Sequence, residues 1–288
     1  MQEGFINVAG GRVWYKKVGT GKDVPLLIAH GGPGMPHDYL EPLVGLATER
    51  SVIFWDQLGC GRSDRPTDIS LWNLPRFIDE LNIVIQALDL TELIILGHSW
   101  GTILAVEYAL TNAQGLQGLI LASPCLNLRR WMQDAIYYRS KLLIKTQQVL
   151  ERNEAAGTTE SAEYQEAVFE FYRRHVCRMN PWPEPVMRAI ENSNEVIYEI
   201  LWGQAEFLVT GELADYDCTE RLPQITVPVL LTAGLYDEAT PDAVFTYAKL
   251  LSNASVAIFD NSAHLPHLEE TIDYLNVVQE FLNKLKAT

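Results

Sequence analysis

Leu93-Ile94-Ile95-Leu96-Gly97-His98-Ser99-Trp100-Gly101 is the stretch that decides how this chain folds. Four isoleucine and leucine residues run into G-x-S-x-G, and a helical pattern follows over 102–112. The order reads as a strand, a sharp turn that carries a serine, and a helix. A side chain at 97 or 101 would strike the tight backbone of such a turn, and both positions are glycine. The turn lifts the Ser99 hydroxyl clear of the sheet. The positive end of the following helix favours negative charge beside it.

Outward from this elbow the pattern alternates. Residues 12–18 read as a strand by their period of two, and the glycines at 19 and 21 supply a turn. Short, continuously apolar runs at 25–30, 51–55, 93–96, 119–122, 227–233 and 255–259 are strands of the buried parallel type. Helical patterns separate most of them, one at 75–88 with Phe77, Ile78, Leu81, Ile85 and Leu88 on a face, and one at 271–285. Strands that alternate with helices predict an α/β fold, a mostly parallel central sheet with helices on both faces. One region breaks the alternation. Residues 126–222 contain no good strand and carry long amphipathic patterns at 131–154, 161–178 and 185–202, punctuated by Asn180-Pro181-Trp182-Pro183-Glu184-Pro185. This predicts a helical cap, residues 126–222, inserted after the sixth strand of a core domain formed by 1–125 and 223–288.

Composition excludes several functions. With 288 residues and 48% hydrophobic content the chain can bury a large core. Its formal charge of −15 argues against nucleic acid and anionic membranes as partners. Most of that surplus is a solvated acidic surface, and part of it can form a field that attracts cations. The N-terminal residues lack the pattern of a signal peptide, and no apolar run nears the roughly 20 residues that span a bilayer. Cys60, Cys125, Cys177 and Cys218 are scattered without metal-like spacing, which predicts free thiols in a reducing cytoplasm. No cofactor or metal is expected.

Ser99 needs a base, and the base needs an orienting carboxylate. Functional groups of an open parallel sheet gather at the carboxyl ends of its strands. Asp237 follows the run at 227–233, and His264 follows the run at 255–259. The order Ser99, Asp237, His264 is that of the α/β-hydrolases. The competing residues fit less well. His267 begins the last helix, His98 points away across the elbow, His175 lies within a cap helix as a structural residue, and Asp260 directly abuts its strand. His30-Gly31-Gly32-Pro33-Gly34 stands where the second oxyanion donor belongs. The donors expected are the backbone N–H of Trp100 and that of Gly32, or of a neighbour one residue away. Each is worth roughly 2.7–4 kcal/mol of barrier. The glycine-rich turn at 56–63 supports the first through hydrogen bonds.

These motifs together resemble the proline iminopeptidases, a group that includes tricorn-interacting aminopeptidases and L-amino acid amidases. The resemblance is carried by HGGPG at 30–34, DQLGCGRS at 56–63, GHSWG at 97–101, GLYDE at 234–238 and SAHLPHLEE at 262–270, with the cap stretches 178–183 and 202–207. It implies that Glu206 and Glu238 bind the free amino group of the substrate. Charge and periodicity alone would leave Glu206 a surface residue. Two convergent carboxylates would hold an ammonium at roughly 4 kcal/mol each before desolvation, at 4 Å and an effective dielectric near 20. The group usually has proline where this chain has Gln204, so the cap motif reads GQAEF and strict proline preference is in question. Trp72, Trp202, Phe207 and Tyr236 are candidates for an apolar first-residue pocket. The expected activity is cofactor-free release of an unblocked N-terminal proline or small apolar residue from a short peptide or amino acid amide. The alternatives are an amidase that removes an aminoacyl group from a non-peptide amine, a general carboxylesterase, and a non-catalytic receptor.

Overall fold

The computed structural model describes residues 1–111 and 114–286. The first half of the chain is built from β1 (Gln2–Val8), β2 (Gly11–Val18), β3 (Asp23–Ala29), β4 (Arg50–Trp55), α1 (Leu74–Ala87), β5 (Leu93–His98), α2 (Trp100–Leu110) and β6 (Leu116–Ala122). Then come α3 (Leu128–Arg139), α4 (Ile144–Ala156), α5 (Ala162–His175), α6 (Glu184–Glu191), α7 (Glu195–Leu201) and the short strands β7 (Gly203–Ala205) and β8 (Leu208–Val209). The chain returns through β9 (Val229–Gly234), α8 (Pro241–Leu250), β10 (Ala254–Phe259), α9 (Pro266–Glu269) and α10 (Thr271–Leu285). Asn112, expected at the end of α2, lies outside the described residues.

The large sheet has the order β1-β2-β4-β3-β5-β6-β9-β10 among the described residues. Strands β3 to β10 of that sheet are parallel, and β1 and β2 add an antiparallel edge. Successive side chains of a strand point to opposite faces. Leu27 and Ala29 of β3, Ile95 of β5 and Leu121 of β6 therefore join a core that includes Phe77 and Leu81 of α1 and Ile103 and Leu104 of α2. Leu26, Ile28, Leu96 and Ile120 join another that includes Val278 and Phe281 of α10. Both faces are covered, which is why the strands read as unbroken apolar runs. Helix α1 starts where the Asn73 side chain accepts the N–H of Arg76 and Pro75 sits in the first turn.

The sequence pattern misses two features. β1 pairs with β2 across a turn at Ala9-Gly10, with Gly10 at φ +95°. Only Ile6 of this edge strand is buried, so it has little apolar alternation to betray it. The cap stretch was expected to hold no strand, yet it contains the β7–β8 hairpin. Its helical patterns are also broken: 131–154 divides between α3 and α4, and 185–202 between α6 and α7. α4 and α5 share a small core with the hairpin, built on Leu150, Phe171, Ala205 and Phe207. No helix among the described residues is long and apolar enough to cross a membrane.

Candidate active site

The register of the sheet brings the site together. Gly97 of β5 lies opposite Ala29 of β3 and Leu121 of β6, Ala122 lies opposite Thr232 of β9, and Gly234 opposite Phe259 of β10. These strands therefore end along one edge. Ser99, Asp237 and His264 all follow strand ends on that edge.

Ser99 occupies φ +52°, ψ −122° between β5 and α2. That conformation is strained for a side chain other than glycine and persists only where the surroundings impose it. They do so here. A Cβ at Gly97 would stand 2.3 Å from the Gly101 carbonyl oxygen, and one at Gly101 would stand 2.1 Å from that of Ala29. The Ser99 N–H is held by the Ala122 carbonyl at 2.9 Å, and α2 opens with the Thr102 N–H on the Ser99 carbonyl at 2.8 Å.

His264 and Asp237 are both buried, and His264 Nδ1 donates to Asp237 Oδ1 at 2.7 Å. This leaves Nε2 as the basic nitrogen. Burial opposes a charged imidazole at this position. The Asp237 charge and hydrogen bond, with Glu206 and Glu269, outweigh it and raise the His264 pKa. Asp237 Oδ1 is fixed by the Ala239 N–H at 2.8 Å. Asp260 is exposed. His267 donates to the Tyr39 carbonyl at 3.1 Å, and burial holds it neutral with a pKa of about 3. His175 sits at the end of α5, stacked on Tyr138, and donates to the Tyr236 carbonyl at 2.8 Å, so it braces the loop that carries Asp237.

His98 does not point away, as its place beside the serine suggested. Its ring packs edge-on against His264 with centroids 4.8 Å apart, and its Nε2 donates to the His264 carbonyl at 2.9 Å. Its Nδ1 accepts the Tyr39 hydroxyl at 2.9 Å, and that hydroxyl accepts the Gly31 N–H at 2.7 Å. One chain of hydrogen bonds thus ties the glycine-rich loop to the backbone of His264. Gln57 makes a second tie. Its N–H reaches His30 Nε2 at 2.9 Å, its side-chain amide reaches the His30 carbonyl at 3.1 Å, and its Oε1 accepts the Trp100 indole at 2.9 Å. The turn at 56–63 does support the first glycine loop. With the Gly31 N–H engaged by Tyr39, the next donor along is that of Gly32, a residue at φ +108° whose Cβ would meet the Gly34 nitrogen at 2.6 Å.

Glu206 follows β7. Its carbonyl accepts the indole N–H groups of Trp131 at 2.7 Å and Trp202 at 3.3 Å, and its N–H reaches the Tyr172 hydroxyl at 3.3 Å. Its Oε2 has no hydrogen-bond partner. Glu238 is 1% exposed, neither of its carboxylate oxygens has a partner, and Oε1 lies 4.0 Å from His264 Nδ1. Burial pushes Glu206 up to about 7 against the pull of His264 and the Tyr198 hydroxyl. Burial, together with the charges of Glu206 and Asp237, raises Glu238 well above the ordinary carboxylate value. Two buried carboxylates without partners are costly unless a cation meets them.

A cavity of about 640 Å³ opens between the strand ends and the cap, with Gly32, Ser99, His264 and Glu206 on its wall. The four aromatic candidates for a pocket are not on that wall, which corrects the expectation. Trp202 is fully buried edge-on against Trp131, Phe207 packs in the cap core on Phe171, Trp72 stacks on Phe77, and Tyr236 lies on the surface beneath Arg178. Tyr39, Tyr172 and Tyr198 line the cavity instead. Their positions depend on elements far apart in the chain, so no local pattern marked them. Gln204 is exposed and accepts the Thr159 hydroxyl at 2.9 Å, off the cavity wall.

The α/β hydrolase fold family matches residues 24–271 of the chain. A proline iminopeptidase of Heyndrickxia coagulans is 44% identical over 98% of this chain and 99% of its own length. The crystal structure of the proline iminopeptidase of Mycobacterium smegmatis superposes with a TM-score of 0.91 at 34% identity, covering 99% of this chain and 98% of that one. That of a protein named VinJ gives 0.95 at 33% identity, covering 99% of each.

Proposed function

The chain belongs to the proline iminopeptidase family of α/β-hydrolases, and from that premise we infer how its residues release an unblocked N-terminal proline or small apolar residue from short peptides and amides. Ser99 Oγ attacks the carbonyl of the first residue while His264 Nε2 takes its proton. Asp237 holds Nδ1–H and stabilises the imidazolium that forms. The oxyanion is received by the N–H groups of Trp100, at the head of α2, and of Gly32. His264 then gives its proton to the leaving amine, and water cleaves the acyl-enzyme by the reverse route. Glu206 and Glu238 receive the substrate ammonium.

The observation that carries this reading is the pair of partnerless carboxylates beside His264. An ammonium there supplies the missing partners, and a blocked N-terminus leaves both groups unpaired. The enclosing cap limits access to short substrates. The four cysteines are buried and free, consistent with a reducing cytoplasm. The test compares initial rates on Pro-, Ala- and Leu-β-naphthylamide with their N-acetylated forms, using Ser99→Ala as the blank. Turnover confined to the free-amine substrates, and abolished in the blank, is expected. Equal rates on the acetylated substrates would remove the ammonium clamp and leave a carboxylesterase.

A further inference from the structure

We propose that the cap side of the cavity is a leaving-group subsite for an uncharged, apolar amine larger than a single amino acid residue. The inference rests on the aminopeptidase reading and names the substrate class of the same site. At about 640 Å³ the cavity falls within the roughly 300–1,000 Å³ of pockets that enclose drug-sized ligands. Its catalytic wall comes from the strand ends and Glu206. The rest of the wall is apolar and comes from Phe169 of α5, Met179 and Trp182 of the following connection, and Val186, Met187 and Ile190 of α6.

Four of these side chains face solvent around one opening: Phe169 is 40% exposed, Met179 39%, Met187 44% and Ile190 42%. Contiguous large apolar side chains at the mouth of a pocket mark a surface that is covered in use. Trp182 adds only an apolar face, because its indole N–H is engaged by the Cys177 carbonyl at 3.0 Å and its ring lies 5.0 Å from that of Phe169. Continuity with Ser99 makes the occupant a part of the substrate, and its place across the scissile bond from the ammonium clamp makes it the departing amine.

The charges on the wall say that this amine carries no carboxylate. The charged side chains there are Arg173, Glu195 and Glu206, with His264 as the titrating base. Arg173 already donates to Glu170 at 2.7 Å and lies 5.1 Å over the Phe169 ring. The C-terminal carboxylate of a free dipeptide would therefore meet Glu195 and Glu206 without an unengaged cation to receive it. An alkyl or aryl amide meets only apolar surface.

The experiment measures kcat/KM on prolyl methyl-, butyl- and octylamide, beside prolyl-glycine and prolyl-glycinamide. A rise of about 2- to 4-fold per methylene is expected, the upper figure being full burial of each CH₂. Prolyl-glycinamide is expected to exceed prolyl-glycine. Met187→Glu and Ile190→Asp should bring the octyl-to-methyl ratio towards unity, while Met187→Leu should retain it. Both positions are partly exposed, so the fold tolerates the exchange. A flat alkyl series, or one led by prolyl-glycine, overturns the subsite and leaves the aminopeptidase reading standing. Failure to cleave any free-amine prolyl amide, with turnover of acetylated ones, overturns the reading beneath it.

Discussion

Glu206 and His264 set the acid limb of the pH profile. Burial lifts Glu206 to about 7, so it loses its charge, and its hold on an ammonium, as pH falls through neutrality. Burial lowers His264 but Asp237 more than restores it, so His264 is protonated and unable to act as base on the same side of neutrality. Both losses lie at acid pH. The logarithm of kcat/KM on Pro-β-naphthylamide should therefore climb between about pH 6 and pH 8 with a limiting slope approaching two protons. Glu206→Gln should lower the rate and reduce that slope towards one. Glu238 makes a stability argument of the opposite kind. Its folded pKa is raised by burial and by Glu206 and Asp237, so its contribution to stability is complete below the ordinary carboxylate value. That contribution is lost as pH rises through the folded value. Glu238→Gln should match the parent near pH 4 and melt higher near pH 8, by about 2–4 °C for each kcal/mol. Equal melting at both values would mean that the carboxylate is relieved in the free enzyme.

The elements carry a separate lesson at the β7–β8 hairpin. Gln204, which stands where the family usually has proline, points to Thr159 in the connection between α4 and α5. The next residue but one, Glu206, is fixed by two indoles and a tyrosine hydroxyl from α3, the end of α7 and α5. Loss of an exposed side-chain hydrogen bond costs about 1 kcal/mol or less. Gln204→Ala should therefore lower stability slightly and leave the Pro:Ala:Leu rate ratio as it is. A changed ratio would mean that the hairpin, and not the indole clamp, positions Glu206. The elbow behaves differently, because the backbone of β3 and α2 leaves no space for a Cβ at 97 or 101.

At the scale of the whole molecule, the formal charge of −15 acts on a cationic substrate over the range of the Debye length. A field of that sign raises the encounter rate of an ammonium-bearing peptide and is screened by salt. Between about 10 mM and 500 mM sodium chloride, where the Debye length falls from about 30 Å towards 3 Å, kcat/KM for Pro-β-naphthylamide should decline several-fold. An unchanged kcat/KM would assign ammonium recognition to contact alone. The same balance of charge was legible from composition, whereas the apolar opening in the cap was not. Its members come from α5, α6 and the connection between them, and they converge only when those elements are packed.

What the sequence determined by itself is what short-range constraint enforces. Two glycines around Ser99, apolar runs of strand length and the alternation of strands with helices are local statements, and the parallel sheet with its elbow follows from them. The placing of Asp237 and His264 at strand ends was legible for the same reason, since β9 and β10 are marked by continuous burial of their neighbourhood. The tertiary structure alone decided which side chains face the cavity. Trp202, Phe207 and Tyr236 carry the right chemistry for a pocket, and packing turns the first two into core and leaves the third on the surface. His98 likewise became the link between His264 and Tyr39 because β5 ends beside both. Whether the two glutamates have partners is also decided by packing, because the groups that could satisfy them lie on elements remote in sequence.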